Sequence, residues 1–96
     1  KTMYYTYILT NKYNTVLYIG MTNDVLRRKE EHKASNQESF TKKYNVSKLV
    51  YAEQYQYVED AIVREKQLKN WKREWKVNLV KKTNPKFQDI SDTIFE

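Results

Sequence analysis

The chain has 96 residues, which suits a single domain with one modest core. It contains no cysteine, which excludes disulfides, thiolate nucleophiles and cysteine-based zinc sites and agrees with a reducing compartment. The 18 Lys and Arg outnumber the 12 Asp and Glu, and the net charge of +6 favours a polyanionic partner. No apolar run approaches the roughly 20 residues of a membrane span, and no signal peptide follows Lys1, so we expect a cytoplasmic protein without a membrane segment.

The first part of the chain predicts a β-hairpin. Residues 3–10 are rich in aromatic and β-branched side chains, a composition typical of strands, and residues 15–21 resemble them. Residues 11–14 between them are turn-like. If these residues form the connection, Tyr7 lies directly opposite Tyr18, with the Cβ atoms roughly 5 Å apart. Any connection of even length keeps the two tyrosines on one face of the sheet.

Gly20 is the only glycine in the chain and lies two residues after Tyr18. A glycine within a strand allows another backbone or a helix to approach closely, or marks a bulge or a strand end. In a chain with nine tyrosines, packing is the ordinary role of any one of them. Two tyrosines on one face beside a glycine favour a site more strongly than either tyrosine alone.

Two helices and a third strand are predicted next. Asp24 favours a helix start, and the pattern predicts a helix over residues 24–33. A short second helix is predicted over residues 37–44. Residues 48–55 predict the third strand.

From Val58 onward, apolar residues recur at the spacing of a helix. A bend is predicted near Asn70. The pattern ends before Asn84 and Pro85, because the position before a proline disfavours helix. We therefore expect one α/β (α+β) domain over residues 1–96, with a small, mainly antiparallel three-stranded sheet flanked by helices.

Glu65 is the most informative single residue. On a helical wheel it falls within about 60° of four apolar residues, which places its carboxylate in the middle of the buried stripe: Val58, Ala61, Ile62 and Leu68. Ionised carboxylates are rarely buried without a partner, because their desolvation is costly. The alternatives are an internal ion pair, a stripe edge open to solvent, or a metal ligand at the floor of a pocket.

Arg28 and His32 are four residues apart and share one face of the predicted helix. A surface ion pair between Asp24 and Arg28 is the ordinary interpretation, and a lone histidine is usually solvated. A guanidinium can also clamp phosphate oxygens and offset the charge that develops on them. Arg28 gains interest through the other candidate residues rather than alone.

Four basic residues at helical spacing predict a cationic stripe: Lys69, Lys72, Arg73 and Lys76. This stripe is either a track for nucleic-acid phosphates or an ordinary solvated face. Trp71, Trp75 and Leu79 occupy a different face of the same predicted helix. We expect this tryptophan row to be core rather than a platform on which bases stack.

The spacing of these residues resembles the GIY-YIG nuclease family. Residues 5–7, Tyr-Thr-Tyr, and residues 18–20, Tyr-Ile-Gly, resemble the two motifs that name the family, although the first keeps only its final tyrosine. Arg28 stands ten residues after Tyr18, as the family's arginine does. The likeness covers about residues 3–90. It is nearest to the small stand-alone bacterial members, relatives of the nuclease half of the DNA excision-repair protein UvrC.

The resemblance also implies roles for the polar residues. Glu65 is similar to the family's metal-binding glutamate and would hold one divalent ion, Mg²⁺ or Mn²⁺. Arg28 would bind the scissile phosphate, and His32 matches a histidine that would relay a proton or contact phosphate. Asn84 is similar in position to the family's distal asparagine.

For the tyrosines, the resemblance implies that one of them positions or deprotonates the attacking water. An unperturbed tyrosine has a pKa of about 10, so such a base needs neighbouring cations that lower its pKa. Our interpretation takes Tyr7 as the residue on the side of the base and Tyr18 as the one that positions the phosphate.

The sequence therefore predicts a metal-dependent endonuclease, with DNA a more probable substrate than RNA. The first alternative is a nucleic-acid-binding module of the same fold that does not turn over. The second is a structural or protein-interaction domain whose basic face is incidental. No appended DNA-binding module is recognisable, so the sequence leaves the substrate open among single-stranded, duplex and branched DNA and RNA. The domain would either act weakly alone or take its specificity from a protein partner.

Overall fold

The computed structural model of the protein describes residues 2–24 and 44–92. In these ranges the chain forms five main elements, which are β1 (Tyr4–Thr10), β2 (Leu17–Thr22), β3 (Lys48–Tyr55), α1 (Val58–Asn70) and α2 (Arg73–Thr83). The strands form one antiparallel sheet in the order β2-β1-β3. The predicted α+β fold with a three-stranded antiparallel sheet is confirmed. Apart from their end residues Asp24 and Tyr44, the predicted helices over 24–33 and 37–44 fall in the segment between the two ranges, outside the described residues.

The register of the hairpin differs from the predicted one. Tyr7 pairs with Gly20, and Leu9 pairs with Tyr18. The prediction that Tyr7 lies directly opposite Tyr18 is therefore wrong, because β2 begins two residues later than predicted. The connection still has an even number of residues, so the two tyrosines are diagonal neighbours on one face of the sheet.

The side chain of Asn11 explains the longer connection. Its Oδ1 atom accepts hydrogen bonds from the backbone N–H groups of Thr15 at 2.8 Å and Val16 at 3.2 Å. Both N–H groups are thus satisfied within the loop rather than by the opposite strand. Asn14 takes a left-handed conformation with φ of 59°, which asparagine tolerates better than most residues.

β3 carries an irregularity where it pairs with β1. Ile8 pairs with Tyr51, whereas its neighbour Leu9 pairs with Leu49, so Val50 is an extra residue in β3. One additional residue on one strand is the definition of a β-bulge. The bulge turns the side chain of Val50 into the same buried cluster as Ile8.

The two faces of the sheet carry two separate buried clusters. The face beneath α1 and α2 contains one of them: Ile8, Ile19, Val50, Leu68, Val80 and Phe87. The hydroxyl of Thr6 donates a hydrogen bond of 2.8 Å to the carbonyl of Ala61 and ties α1 to the middle strand. The opposite face contains the other cluster: Tyr7, Leu9, Val46 and Leu49.

The two helices meet at a break of two residues. α1 ends at Asn70, α2 begins at Arg73, and α2 ends before Asn84 and Pro85, so the predicted bend and the predicted end are both confirmed. Acidic residues begin α1 and Lys69 ends it, which complements the helix dipole. Neither helix reaches the length or the hydropathy that would be needed to cross a membrane.

Candidate functional site

Tyr7 and Gly20 form the most constrained contact on the tyrosine face of the sheet. A Cβ atom built on Gly20 would lie 2.3 Å from Oη of Tyr7 and 2.4 Å from its Cζ. The ring of Tyr7 therefore lies flat across Gly20, and the residue is only 1% exposed. The sequence predicted a close approach at Gly20, but what approaches is the tyrosine ring rather than a backbone or a helix.

Tyr18 lies beside this contact. It is half-buried and packs against the cluster that contains Tyr7 and Leu9. Gly20 and Tyr18 are two positions apart on the edge strand β2 and therefore share a face of the sheet. The ring of Tyr7, which reaches across from the middle strand to Gly20, thus lies next to Tyr18. The structure thus brings the two predicted tyrosines together on one face.

Glu65 lies at the flank of the buried stripe of α1 rather than in its middle, where its spacing predicted it. It lies between Ala61 and Leu68, which are both fully buried, yet 22% of its side chain is exposed. Its Oε2 atom is 3.3 Å from Nζ of Lys69, whose side chain is 55% exposed. An exposed pair of this kind contributes only about 0.3–0.5 kcal/mol, so Lys69 does not lock the carboxylate.

The orientation of α1 directs Glu65 toward the edge of the sheet formed by β2. Arg64 contacts Glu53 on β3, the other edge strand. Glu65 lies about 100° further round the helix, on the opposite flank of the buried stripe, and so faces away from β3. The tyrosines and Glu65 lie on opposite faces of the sheet, with Tyr18 on the edge strand β2 and Glu65 on the flank of α1 away from β3. Arg28 and His32 lie outside the described residues.

The donor set around Glu65 restricts the kind of metal that would fit. In the described ranges, no group of three or more His, Cys, Asp or Glu side chains is close enough to enclose a metal ion. A single, partly exposed carboxylate fits a hard cation that retains most of its water ligands, as Mg²⁺ does. Glu65 meets that requirement.

A polar network around Glu53 was not predicted. The Glu53 carboxylate accepts hydrogen bonds from Tyr51 Oη at 2.5 Å, Tyr55 Oη at 2.7 Å and Arg64 Nε and Nη2 at 2.9 and 3.0 Å. All three strand residues face the helices, because Glu53 pairs with Thr6. An acidic residue with tyrosines two positions before and after it on a predicted strand was the signal available in the sequence.

The network shifts the pKa values of its members. Burial alone would raise the pKa of Glu53, but the hydrogen bonds from Arg64 and the two tyrosines outweigh burial and hold that pKa below its ordinary value. Burial and the hydrogen bond to Glu53 raise the pKa of Tyr55 to about 12 and raise the pKa of Tyr51 as well. These tyrosines are therefore poor candidates for a base, and the network serves to join β3 to α1.

The four basic residues do not form one stripe, because the helix breaks between Lys69 and Lys72. The prediction of a single cationic face is wrong in this respect. Arg73 Nη2 donates a 2.9 Å hydrogen bond to the carbonyl of Asn14 in the hairpin loop. Lys76 is half-buried, and burial together with the charge of Arg73 lowers its pKa.

The tryptophan row is only partly core. Trp71 and Leu79 pack against the helix-side cluster, as predicted. Trp75 is 48% exposed, so its assignment to the core is wrong. Trp75 lies in the first turn of α2, where its ring contacts Trp71 and Lys72, whereas Leu79, one turn later, reaches the cluster.

Asn84 lies away from the tyrosines, at the C-terminal end of α2. It is 7% exposed, and its Nδ2 atom donates to the carbonyls of Val50 at 3.0 Å and Gln88 at 2.8 Å. Its Oδ1 accepts the backbone N–H of Gln88 at 3.0 Å. With its amide engaged in this way, Asn84 joins the end of α2 to the bulge of β3, and we leave it out of the site that we propose.

Comparison with known protein families identifies a match that covers most of the chain. Residues 3–78 match the model of the GIY-YIG catalytic domain. That range contains both hairpin tyrosines, Gly20 and Glu65 and ends within α2.

The chain is similar in sequence to proteins of one bacterium and in fold to a solved structure from another. The chain is 35% identical over 65 residues to UPF0213 proteins of Staphylococcus aureus, among them SAV0488 of strain Mu50 and SA0446 of strain N315, and the match covers 68% of this chain and 79% of each relative. The solution NMR structure of the UPF0213 protein BH0048 from Bacillus halodurans superposes with a TM-score of 0.58 at 26% identity, over 96% of this chain and 97% of that one.

Proposed function

The chain belongs to the GIY-YIG family, whose catalytic domains are endonucleases, and from this premise we propose that it hydrolyses phosphodiester bonds of DNA in a metal-dependent reaction. Nucleic acid is the substrate class that the family implies. DNA rather than RNA, a dependence on Mg²⁺ or Mn²⁺, a cytoplasmic location and action as a single domain over residues 1–96 are parts of the proposal. The net charge of +6 supports a polyanionic substrate.

One observation carries the proposal to this chain's own residues. The ring of Tyr7 fills the space above Gly20, with Tyr18 beside it on the same face. Packing alone could be achieved without this pair, because a residue with a side chain at position 20 and a smaller apolar residue at position 7 would fill the same space. The contact instead fixes the hydroxyl of Tyr7 at the edge strand, where a hydroxyl has a chemical use.

The exposures of the two tyrosines support a division of roles that reverses the one expected from the sequence. Tyr18 is half-buried, whereas Tyr7 is 1% exposed. A group that orients or deprotonates a water molecule has to meet that water. We therefore assign this role to Tyr18 and assign to Tyr7 the positioning of the Tyr18 hydroxyl and of the phosphate beside it.

The remaining groups act on the phosphate. Glu65 would hold a divalent cation, which when bound supplies Lewis-acid stabilisation of the charge on the phosphate and the leaving oxygen. In our proposal Arg28 binds the scissile phosphate through paired N–H donors. His32 then carries the proton away from the side of the attacking water.

A cleavage assay with matched glutamate variants tests the proposal. Single-stranded, duplex and branched DNA and the corresponding RNAs are incubated with the protein in Mg²⁺, in Mn²⁺ and in EDTA. We expect Glu65→Gln to reduce cleavage of DNA by at least about 100-fold, a loss typical of a group that stabilises the transition state. Glu59→Gln, at an exposed position of the same helix, is the control and should leave the rate unchanged.

The tyrosine assignment is tested in the same assay. Tyr18→Phe should lower the rate more than Tyr7→Phe, since only Tyr18 meets the water in our proposal. Cleavage that persists in EDTA, or that survives Glu65→Gln at the wild-type rate, contradicts the metal site. Binding of DNA without cleavage in either metal ion would instead support the module that does not turn over.

A further inference from the structure

Trp75 is the large aromatic side chain on α2 that remains open to solvent. Almost half of the residue is exposed, whereas tryptophan side chains are highly buried on average. The ammonium group of Lys72 lies 5.7 Å from the centroid of its ring, which is the distance of a cation–π contact. The indole thus has an exposed surface and a positive charge beside it.

The orientation of Trp75 is set by neighbours that are themselves held. The guanidinium of Arg64, bound by Glu53, lies 5.0 Å from the ring centroid of Trp71. Trp71 in turn meets Trp75 edge to face, with centroids 6.0 Å apart and an angle of 84° between the planes. Because each side chain restricts the next, the exposed ring loses little conformational entropy when it contacts a ligand.

Lys72 links the ring of Trp75 to an open cleft on a neighbouring face of α2. The cleft has a volume of about 590 Å³ and is lined by Lys72 and five other residues: Arg73, Glu74, Val77, Asn78 and Lys81. Three of the six carry a positive charge and one carries a negative charge. Arg73 donates through Nη2 to the carbonyl of Asn14, and its guanidinium carries four further N–H donors. This charge balance fits an anionic strand rather than an apolar peptide.

We infer that Trp75 is a stacking site for an unpaired base, on a single-stranded stretch of nucleic acid whose phosphates contact Lys72 and Arg73. In a duplex, neighbouring base pairs cover both faces of each base, so a protein aromatic ring stacks only on a base that is unpaired. The inference rests on the proposed function insofar as this strand is the substrate. It goes further because it assigns a specificity to a surface outside the proposed tyrosine and glutamate site.

A binding measurement in EDTA tests this inference without any cleavage. The probe is fluorescein-labelled oligothymidylate of about 15 nucleotides, the length that one such groove engages, and a duplex of the same length is its comparison. We expect Trp75→Ala to weaken binding of the single strand by about 5- to 100-fold and to leave duplex binding within a factor of about two, because one base stack is lost. Trp75→Phe, which keeps a ring, should retain most of the affinity.

Tyr57→Ala is the matched control. Tyr57 is also an exposed aromatic residue, at 59%, but Glu59 and Asp60 follow it, so an anionic strand is repelled there. This variant should bind the oligothymidylate as the wild type does. Equal losses in Trp75→Ala and Tyr57→Ala would overturn the inference.

Intrinsic fluorescence distinguishes a tryptophan that contacts the ligand from one with only a structural role, because the emission of the latter would not change when oligothymidylate binds. Oligothymidylate should quench the tryptophan emission of the wild type and have little effect on Trp75→Phe, in which Trp71 is the remaining tryptophan. Normal single-strand binding by Trp75→Ala, together with Glu65-dependent cleavage, would refute the stacking site and leave the nuclease proposal intact. Trp75-dependent binding without cleavage in any metal would refute the nuclease and leave the stacking site.

Discussion

Gly20 is used for the volume it leaves empty rather than for backbone freedom. It does not take a positive φ, so an alanine at this position would have an ordinary backbone conformation. The space above its Cα is instead occupied by the rigid ring of Tyr7, which is buried and has little room to retreat. The requirement for glycine therefore comes from a side chain on the neighbouring strand.

We expect Gly20→Ala to lower the free energy of unfolding by about 1–3 kcal/mol, the usual cost of inserting a methyl group into a packed region. Alanine has the better strand propensity of the two, so any loss comes from the displaced ring of Tyr7. Urea denaturation followed by circular dichroism measures the effect. In a Tyr7→Ala background the same change should cost much less, and an equal cost in both backgrounds would contradict this explanation.

At the scale of single residues, periodicity predicted the buried neighbours of Glu65 but not how Tyr7 packs. Helical geometry places Ala61 and Leu68 on the buried side of α1, and the structure agrees, whereas Glu65 lies at the flank of that side. The contact of Tyr7 with Gly20 depends on the register of the hairpin. That register was set by side-chain hydrogen bonds of Asn11, which strand propensity does not report.

Among the secondary-structure elements, the ion pair of Glu53 and Arg64 is the main polar link between β3 and α1 in the described ranges. Arg64 immediately precedes Glu65, so the same link fixes the rotation of α1 that directs Glu65 to the β2 edge. The side chains of Glu53 and Arg64 are 17% and 22% exposed, and four hydrogen bonds saturate the carboxylate. Such charge-assisted bonds are stronger than neutral ones.

Glu53→Gln should lower the free energy of unfolding by about 1–3 kcal/mol near neutral pH, the range for hydrogen bonds to a charged group. The lowered pKa of Glu53 means that its contribution is complete above its ordinary pKa of about 4.3 and is lost as the pH falls through the lower folded value. The raised pKa of Tyr55 means that its contribution is complete below about pH 10 and is lost as the pH rises toward about 12.

Urea unfolding of wild type and Glu53→Gln across the pH range measures this difference. The gap between the two proteins should be widest between about pH 5 and pH 9 and should narrow on the acid side. Glu59→Gln, at an exposed position of α1, serves as the control and should show a small gap that is nearly constant. A gap for Glu53→Gln that does not change with pH would show that packing, not charge, makes the link.

The elements themselves were largely predictable. The strand over residues 48–55, the helix from Val58, the break near Asn70 and the stop before Pro85 all follow from side-chain type and spacing, and the structure agrees. What failed was the assignment of Trp75 to the core. Helical spacing shows that Trp75 and Leu79 share a face of α2, but it does not show how far along that face the core extends.

In the molecule as a whole, charge is distributed unevenly along the helical layer. Glu59 and Asp60 begin α1, whereas Lys69 ends it and Lys81 and Lys82 end α2. A substrate strand is therefore attracted to the end of α1 and to α2 rather than to the start of α1. The composition gives the net charge, but only the fold shows where on the molecule the positive and negative side chains lie.

This distribution predicts the salt dependence of nucleic-acid binding. Each phosphate contact on a single strand contributes about 0.7 to the slope of log K against log salt concentration. Lys81→Gln, in the cleft of α2, should therefore reduce that slope by about 0.7 for the oligothymidylate. Anisotropy titrations from low to moderate salt measure the slope.

Lys66→Gln is the matched control for this prediction. It removes the same charge from an exposed position on α1, outside the cleft. Its slope should equal that of the wild type. Equal reductions in the two variants would mean that net charge, rather than the cleft, governs binding.

The extra residue in β3 has a consequence for how this domain tolerates insertions and deletions. Val50, the extra residue, accepts a hydrogen bond through its carbonyl from the amide of Asn84 at the end of α2, 34 residues away. Deletion of the extra residue would remove this acceptor and leave the amide of Asn84 with its hydrogen bonds to Gln88 alone. We therefore expect a change of length in β3 at this point to loosen the end of α2 as well.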